Sequence, residues 1–162
     1  MPGPATSEFP LIPLGSSAAL HALVGAAPQL SDWLTVDQAM IDGFAAVTGD
    51  RQWLHVDPER AAVESPYGTT IAHGFLVLSL VSALLLKCFS FPGRKMSVNY
   101  GFDRIRFTGP VRSGARIRGE FRVVRVVDVA PNQARIIWDV EVRIEGESRP
   151  ALVASWLSQM GY

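Results

Sequence analysis

The sequence predicts an α+β domain in which an antiparallel sheet wraps one long apolar helix. The first half of the chain shows apolar residues at helical spacing. The run from Ile71 to Leu86 is apolar on nearly every side, as is typical of a helix enclosed by other structure. From Met96 onward the apolar residues alternate with period 2, which indicates four strands joined by short turns.

Length and composition restrict the class of protein. The chain has 162 residues, 48% of them hydrophobic, which fits one domain with a proper core. Fifteen basic residues balance fifteen acidic ones, so we expect no nucleic-acid or membrane-surface partner. A single cysteine, Cys88, excludes an intrachain disulfide and a cysteine-based zinc site, and we expect a buried thiol. No secretory signal is visible, which favours a cytoplasmic protein.

The length of the apolar run shows whether it could be a membrane-spanning helix. It is sixteen residues long and contains His73, Gly74, Ser79 and Ser82. Because a bilayer-spanning helix needs about twenty apolar residues, the run predicts a core helix and no membrane partner.

The N-terminal third divides into a tail and the start of the domain. Residues 1–16 carry four prolines and predict a loose tail or strap, so the single domain is expected over 17–162. A short helix is expected over 18–27 and a short strand over 33–35.

A second helix follows, and it ends just before the most informative segment of the chain. Residues 35–38 have the form of a capping box, and Gly49 fits the C-cap. The residues expected on its inward face are Met40, Ile41, Phe44 and Val47.

The segment 48–57 holds a high density of groups that can move protons. Asp50 and His55 are five residues apart in what we interpret as a non-helical loop, so both side chains can face one cavity. A carboxylate beside an imidazole can handle a water molecule, one group accepting a proton while the other donates. The alternative is a capping aspartate and a packed histidine. Asp57 before Pro58 is better explained as the N-cap of a further helix.

The strands carry two specific expectations. Alternation of apolar residues slips at Asp103–Arg104, which predicts a β-bulge. The segment 134–144 has one apolar and one charged face, so one side of that strand meets the core.

Three motifs together resemble the MaoC-like (R)-specific enoyl-CoA hydratases. They read GDRQWLHVDP at 49–58, AHG at 72–74 and RFTGPVRSG at 106–114, and the resemblance covers about residues 30–157. Gln52 and Trp53 stand where the family usually has Asn-Pro, a variant that is similar to the NodN-like branch. The resemblance implies the hot-dog fold, a central helix wrapped by an antiparallel sheet.

The resemblance also implies a reaction. Asp50 and His55 would activate the water that adds to the double bond of a trans-2-enoyl-CoA and gives (R)-3-hydroxyacyl-CoA. The N–H of Gly74 would bind the thioester oxygen, and a glycine would allow its close approach. Ser82 would hydrogen-bond the catalytic aspartate, and Gln52 would orient the dyad or line the pocket.

The resemblance implies an acyl-CoA substrate, a homodimer with its site near the interface, and no cofactor, since coenzyme A is part of the substrate. No ligand spacing among the histidines suggests a metal. For His73 we expect a structural hydrogen bond only. The following cations could meet coenzyme A phosphates and cannot be ranked: Arg51, Arg94, Lys95, Arg104 and Arg106.

Three alternatives remain open at this point. The chain could dehydrate a 3-hydroxyacyl thioester held on a carrier protein. It could be a hot-dog thioesterase, which would attack the carbonyl carbon instead of Cβ. It could also be a non-catalytic acyl-CoA-binding or partner subunit, which would be expected to have lost the Asp50–His55 pair.

Overall fold

The computed structural model describes residues 10–162 as a set of short helices around one longer helix and a large sheet. The helices are α1 (Ser17–Ala22), α2 (Gln38–Thr48), α3 (Trp53–Val56), α4 (Pro58–Glu64) and α5 (Gly74–Leu85). The strands are β1 (Ile12–Pro13), β2 (Gln29–Leu30), β3 (Leu34–Val36), β4 (Phe89–Ser90), β5 (Met96–Phe107), β6 (Ala115–Ala130), β7 (Gln133–Ile144) and β8 (Leu152–Gly161). The first nine residues of the expected tail lie outside the described part.

The main sheet is antiparallel and contains six strands. Its order is β2-β6-β7-β8-β5, and β3 also pairs with β6. The four long strands are those that the period-2 pattern predicts, and β3 matches the short strand expected over 33–35 to within one residue. Strand β2 has only two residues and was not predicted. Strand β1 pairs in parallel with β4, and Leu14, which follows β1, is buried, so part of the expected tail packs on the domain.

Helix α5 lies against the apolar face of this sheet. Its buried side chains belong to one cluster with those of β6, β7 and β8. At the centre, Trp138 is fully buried and its indole N–H donates to Ser158 Oγ at 2.8 Å, so the buried donor is satisfied. The expected α+β arrangement, one helix wrapped by an antiparallel sheet, is therefore confirmed.

Two predictions for the strands are also confirmed. The register of β5 against β8 shifts between Phe102 and Arg104, where the alternation slips, and shifts again between Asn99 and Gly101. Along β7 the apolar positions are buried from Ala134 to Val142, and the charged ones face outward.

The prediction for α2 was wrong in two details. Asp37 is the N-cap residue, and its carboxylate accepts from the N–H of Met40 at 2.8 Å, so no capping box begins at residue 35. Val47 is 88% exposed, because the buried side is set by Ile41 and Ala45. At about 100° per residue, Val47 lies about 120° around the helix from Ile41 and about 160° from Ala45, away from the buried side. The C-cap at Gly49, with φ of +80°, is confirmed.

The expectation that α5 is enclosed on nearly every side was also wrong. One stripe along it is exposed: Phe75, Ser79, Ser82 and Leu86. These residues recur at helical spacing, and the sheet covers only the opposite side. The stripe therefore presents an unpartnered face that includes Phe75, which is 68% exposed. No helix in the stretch 10–162 has the length and hydrophobicity to cross a membrane.

Substitutions at two glycines test this packing, because we expect them to change the free energy of unfolding in opposite directions. At Gly119 on β6, an added Cβ would lie 2.4 Å from the ring of Phe121 and 3.1 Å from Cβ of Leu84. We expect Gly119→Ala to lower the free energy of unfolding by about 1–3 kcal/mol, because the core is overpacked. Gly43→Ala, within α2 and with nothing nearby, should raise it by about 0.5–1 kcal/mol. Urea titration of both variants measures this, and a loss of equal size at both sites would contradict the packing.

Candidate active site

The end of α2 and the short helix α3 place the predicted proton-handling pair. Gly49 adopts the left-handed conformation that ends α2 and turns the chain. His55 lies in α3, a single turn in which its N–H donates to the Gln52 carbonyl at 2.9 Å. The expectation of a non-helical loop was therefore wrong, because a four-residue helix is too short to show a period.

His55 is held by its Nδ1 atom. The side chain is buried, and Nδ1 lies 2.7 Å from the carbonyl oxygen of Ile71. Because a carbonyl oxygen can only accept, Nδ1 carries the proton, and Nε2 of the neutral ring keeps its lone pair. The Gln38 amide donates to the main-chain carbonyl of His55 at 2.8 Å and accepts from the Thr70 hydroxyl. The ring is thus fixed with Nε2 available for proton transfer.

His73 lies directly against this imidazole. The two rings stack with centroids 3.8 Å apart, and Phe44 packs on His73 at 5.0 Å. Nε2 of His73 donates to the main-chain carbonyl of Asp50 at 2.9 Å, while its buried Nδ1 has no hydrogen-bond partner. The expected structural hydrogen bond of His73 is therefore present, and its acceptor belongs to the predicted dyad.

The carboxylate of Asp50 completes the cluster and is exposed to solvent. Polar side-chain atoms of Asp50, His55 and His73 all lie within 4.8 Å of one another. The Asp50 carboxylate accepts one long hydrogen bond, 3.4 Å from the N–H of Gln52. The structure thus brings the predicted pair together, with one polar side-chain atom of each within 4.8 Å of the other.

The same three residues could be considered as metal ligands. The planes of the two imidazoles are inclined by only 27°. Nδ1 of His55 and Nε2 of His73 each donate to a backbone carbonyl, so one nitrogen of each ring is left for such a role.

Gly74 begins α5, next to His73, and lines a cavity of about 290 Å³ together with Tyr67, Phe107 and Thr108. Its N–H belongs to the first turn of a helix and has no intrahelical acceptor. A Cβ added at Gly74 would lie 3.1 Å from the Phe107 ring. We expected the glycine to make room for a ligand, whereas in this chain that space is filled by Phe107.

The two supporting residues are placed differently from the dyad. Ser82 lies on the exposed stripe of α5 and lines a separate cavity of about 280 Å³ with Asn99 and Trp156. Within the described chain no hydrogen bond joins Ser82 to Asp50. Gln52 is exposed, and its main chain contacts both members of the dyad, as donor to Asp50 and acceptor from His55.

Two other groups lie away from this cluster. A larger cavity, about 620 Å³, opens where α1 meets the β6–β7 turn. There Asp128 accepts from Ser17 and contacts His21 at 3.1 Å, and these hydrogen bonds, chiefly that of Ser17, lower the pKa of the exposed Asp128. Cys88 is buried, as expected, and burial raises the pKa of its thiol to about 12, so it is a poor nucleophile. Neither the Asp128 cluster nor Cys88 combines a buried general base with a cavity that could hold a substrate.

Comparisons with known proteins show the family of the chain. Residues 20–143 match the family model of the MaoC-like domain. Nodulation protein N of Rhizobium leguminosarum bv. viciae is 48% identical over 134 residues, covering 79% of this chain and 80% of that protein. The 3-hydroxyacyl-thioester dehydratase Z of Mycobacterium tuberculosis is 42% identical over 139 residues, covering 86% and 91%.

The fold is likewise similar to a solved structure, the unliganded (R)-hydratase PhaJ1 of Pseudomonas aeruginosa. The TM-score is 0.67 at 25% identity, with 88% of this chain and 83% of that chain covered. The likeness confirms the hot-dog fold.

The hydrogen bonds at the two stacked histidines predict opposite tautomers. In ¹⁵N–¹H correlation spectra at neutral pH, His55 should carry its proton on Nδ1 and His73 on Nε2, because each donates to a backbone carbonyl. Exposed His21 serves as a control, and His21→Gln, His55→Gln and His73→Gln assign the signals. The same tautomer on both rings would contradict the geometry.

Proposed function

The chain belongs to the MaoC-like dehydratase family, and on that basis we propose that it reversibly hydrates trans-2-enoyl-CoA to (R)-3-hydroxyacyl-CoA. The observation that carries the proposal is the meeting of the Asp50 carboxylate with an imidazole, His55, whose Nδ1–H is already engaged. Such a pair can hold one water molecule and remove its proton. The names of the relatives, a 3-hydroxyacyl-thioester dehydratase and an (R)-hydratase, describe the two directions of this kind of reaction.

The proposed mechanism assigns one step to each group. The carboxylate of Asp50 accepts a hydrogen bond from the water, and Nε2 of His55 takes the proton as the water oxygen forms its bond to Cβ. The π electrons move to Cα and the thioester oxygen, and the N–H of Gly74 donates to that oxygen with support from the helix dipole. The proton then passes to Cα, so the elements of water are added and nothing is oxidised or reduced. No metal or redox cofactor is needed.

The supporting roles are proposed with the dyad. The main chain of Gln52 contacts both Asp50 and His55, which supports its role in orienting the pair. Ser82 forms no hydrogen bond to Asp50 in the described chain, so we assign the support of the dyad to Gln52 alone. Dehydration of a carrier-protein thioester is the nearest variant, because the same atoms react. We further propose that the protein works in the cytoplasm, where the acyl thioesters of coenzyme A are made and consumed.

We also propose that two copies of the chain form a homodimer through β5. This twelve-residue strand lies at the edge of the sheet, paired only with β8 among the described strands. It exposes large apolar side chains, among them Val98 and Tyr100. Identical edge strands can pair antiparallel about a twofold axis, which closes the open edge. The same assembly would cover the stripe on α5, since Phe75 contacts Phe107 of β5 with ring centroids 5.8 Å apart.

The catalytic proposal predicts loss of activity in two variants. Purified wild type should remove the enoyl-thioester absorbance of crotonyl-CoA and of a longer trans-2-enoyl-CoA and give the (R) product. Asp50→Asn and His55→Gln should each lower kcat by roughly 10²–10⁴-fold, the usual size of general acid–base catalysis. Asp139→Asn, at an exposed position on β7, is the matched control and should keep full activity.

The same assay distinguishes the alternatives. Retained activity in Asp50→Asn would contradict the dyad. Release of free thiol would indicate a thioesterase, and tight binding without turnover would indicate a non-catalytic subunit.

The dimer proposal predicts the mass of the assembly and a substitution that should reduce this mass to that of one chain. Sedimentation of the wild type should give about 35 kDa, twice the 17.6 kDa of one chain. Val98→Lys should shift this toward 17.6 kDa, because lysines on an edge strand oppose pairing. Val129→Lys, at a similarly exposed valine on β6, is the control and should leave the dimer intact. A monomeric wild type at micromolar concentration would refute the interface.

A further inference from the structure

We propose that His73 is a positioning residue of the proposed reaction, which holds the Asp50 backbone through its Nε2–H and the imidazole of His55 through its ring. This inference rests on the proposed function and extends it from the dyad to the residue that keeps the dyad in place. The sequence predicts only a structural hydrogen bond for His73, whereas the structure places its side chain against both members of the pair.

His73 connects the start of α5 to the two segments that carry the dyad. Its main-chain carbonyl accepts from the N–H groups of Leu76 and Val77, at 3.0 and 3.2 Å, so its backbone is fixed at the first turn of α5. From there the side chain donates to the Asp50 carbonyl at 2.9 Å and lies on the His55 ring, with centroids 3.8 Å apart. One side chain therefore joins α5, α3 and the segment that follows α2.

The position of His73 would give a shorter polar side chain a stabilising role that histidine does not fill. His73 is the N-cap residue of α5, and its side chain forms no capping hydrogen bond. Serine, threonine, aspartate or asparagine at an N-cap usually accepts from an N–H of the first turn and stabilises the helix. The histidine side chain leaves this role and contacts the dyad instead.

A second feature of His73 also lowers stability. Only 3% of the residue is exposed, and its Nδ1 atom is buried without a hydrogen-bond partner in the described part of the chain. Because Nε2 carries the proton that is donated to the Asp50 carbonyl, Nδ1 is an acceptor with an unused lone pair. An unpaired buried acceptor costs free energy, and most buried polar atoms avoid this state. Two departures from the most stable choice at one position are typical of a functional site.

The two contacts of His73 restrain the two groups that the proposed reaction uses. The bond to the Asp50 carbonyl fixes the backbone of a residue whose carboxylate is exposed and accepts one long hydrogen bond, 3.4 Å from the N–H of Gln52. Stacking restricts rotation of the His55 ring, so its Nε2 keeps a fixed position relative to that carboxylate. A displacement of about 1 Å in a catalytic group can lower the rate by a factor of about 10².

Two substitutions separate the contacts of His73. His73→Phe keeps a ring against His55 and loses the donor to Asp50, whereas His73→Gln keeps an amide donor and loses the ring. We expect each variant to lower kcat for crotonyl-CoA roughly 10–100-fold, because a member of the dyad is displaced. KM should stay unchanged, because the contacts with the substrate are kept.

Stability measurements distinguish positioning from a merely structural role. The midpoint of urea unfolding of His73→Phe should not fall below that of the wild type, because the unpaired acceptor is removed from the interior. Gly119→Ala is the control, since its overpacking occurs near Leu84 at the other end of α5. This variant should be less stable than the wild type and keep the wild-type kcat.

Three results would overturn the positioning role. One is an unchanged kcat in both His73 variants. Another is a raised KM with an unchanged kcat, which would indicate a substrate-binding residue. The third is an equal loss of kcat in Gly119→Ala, which would show that activity follows stability. A loss of kcat in only one His73 variant would support the role and assign it to the contact that this variant removes.

Spectra recorded without substrate separate failure of this inference from failure of the proposed function. If the wild type hydrates no enoyl thioester, the proposed function fails, and ¹⁵N–¹H correlation spectra still test the contact between the rings. His55 should keep its proton on Nδ1 in the wild type and in His73→Phe, and should show averaging of both tautomers in His73→Gln. Unchanged His55 signals in His73→Gln would overturn the role of the stacked ring.

Discussion

The candidate site depends on the way Ile71 joins α3 to the start of α5. Its carbonyl accepts from Nδ1 of His55 at 2.7 Å, and its N–H donates to the Leu54 carbonyl at 3.1 Å. The main-chain N–H and carbonyl of Ile71 therefore both hydrogen-bond to α3, the short helix that carries the imidazole of His55. Three residues later the chain begins α5 at Gly74, so Ile71 connects the proposed base in α3 to the proposed oxyanion donor at Gly74. His73, between them, extends the connection to the Asp50 carbonyl. A base, a carboxylate and a main-chain donor are thus positioned by a few backbone hydrogen bonds.

The sheet provides the support for this segment and leaves one side of α5 open. Packing of α5 on the large apolar residues of β6 and β7 fixes the axis of the helix and hence the direction of its N-terminal N–H groups. Because a single sheet can cover only one side of a helix, the stripe from Phe75 to Leu86 stays exposed. The exposed apolar side chains of the stripe favour association with another surface, and so do the unpaired backbone groups at the adjoining edge of β5. In the proposed dimer a second copy would cover both features.

Much of this arrangement could be predicted from the sequence, because period and turn chemistry are local properties. The change from helical spacing to alternation located α5 and the long strands, and Gly49 and Asp57 marked helix ends. The pair Asp50 and His55 could be identified from the motif. What could not be predicted depends on contacts between distant segments. The acceptor of His73 is a main-chain carbonyl, which has no signature in the sequence. The hydrogen bond from Gly109 to the Ala151 carbonyl likewise joins two segments that are far apart in the sequence.

Phe107 connects the separate parts of the proposal, since its ring lies where they meet. Its ring lies beside Gly74, contacts Phe75 on the exposed stripe, and lines the cavity that includes Gly74. It is also the last residue of β5, and 47% of it is exposed in the single chain. In the proposed dimer a second β5 lies beside the same edge, so assembly would reduce the freedom of this ring. The shape of the cavity beside Gly74 would then be set partly by the partner chain of the proposed dimer, even though both members of the proposed dyad belong to one chain.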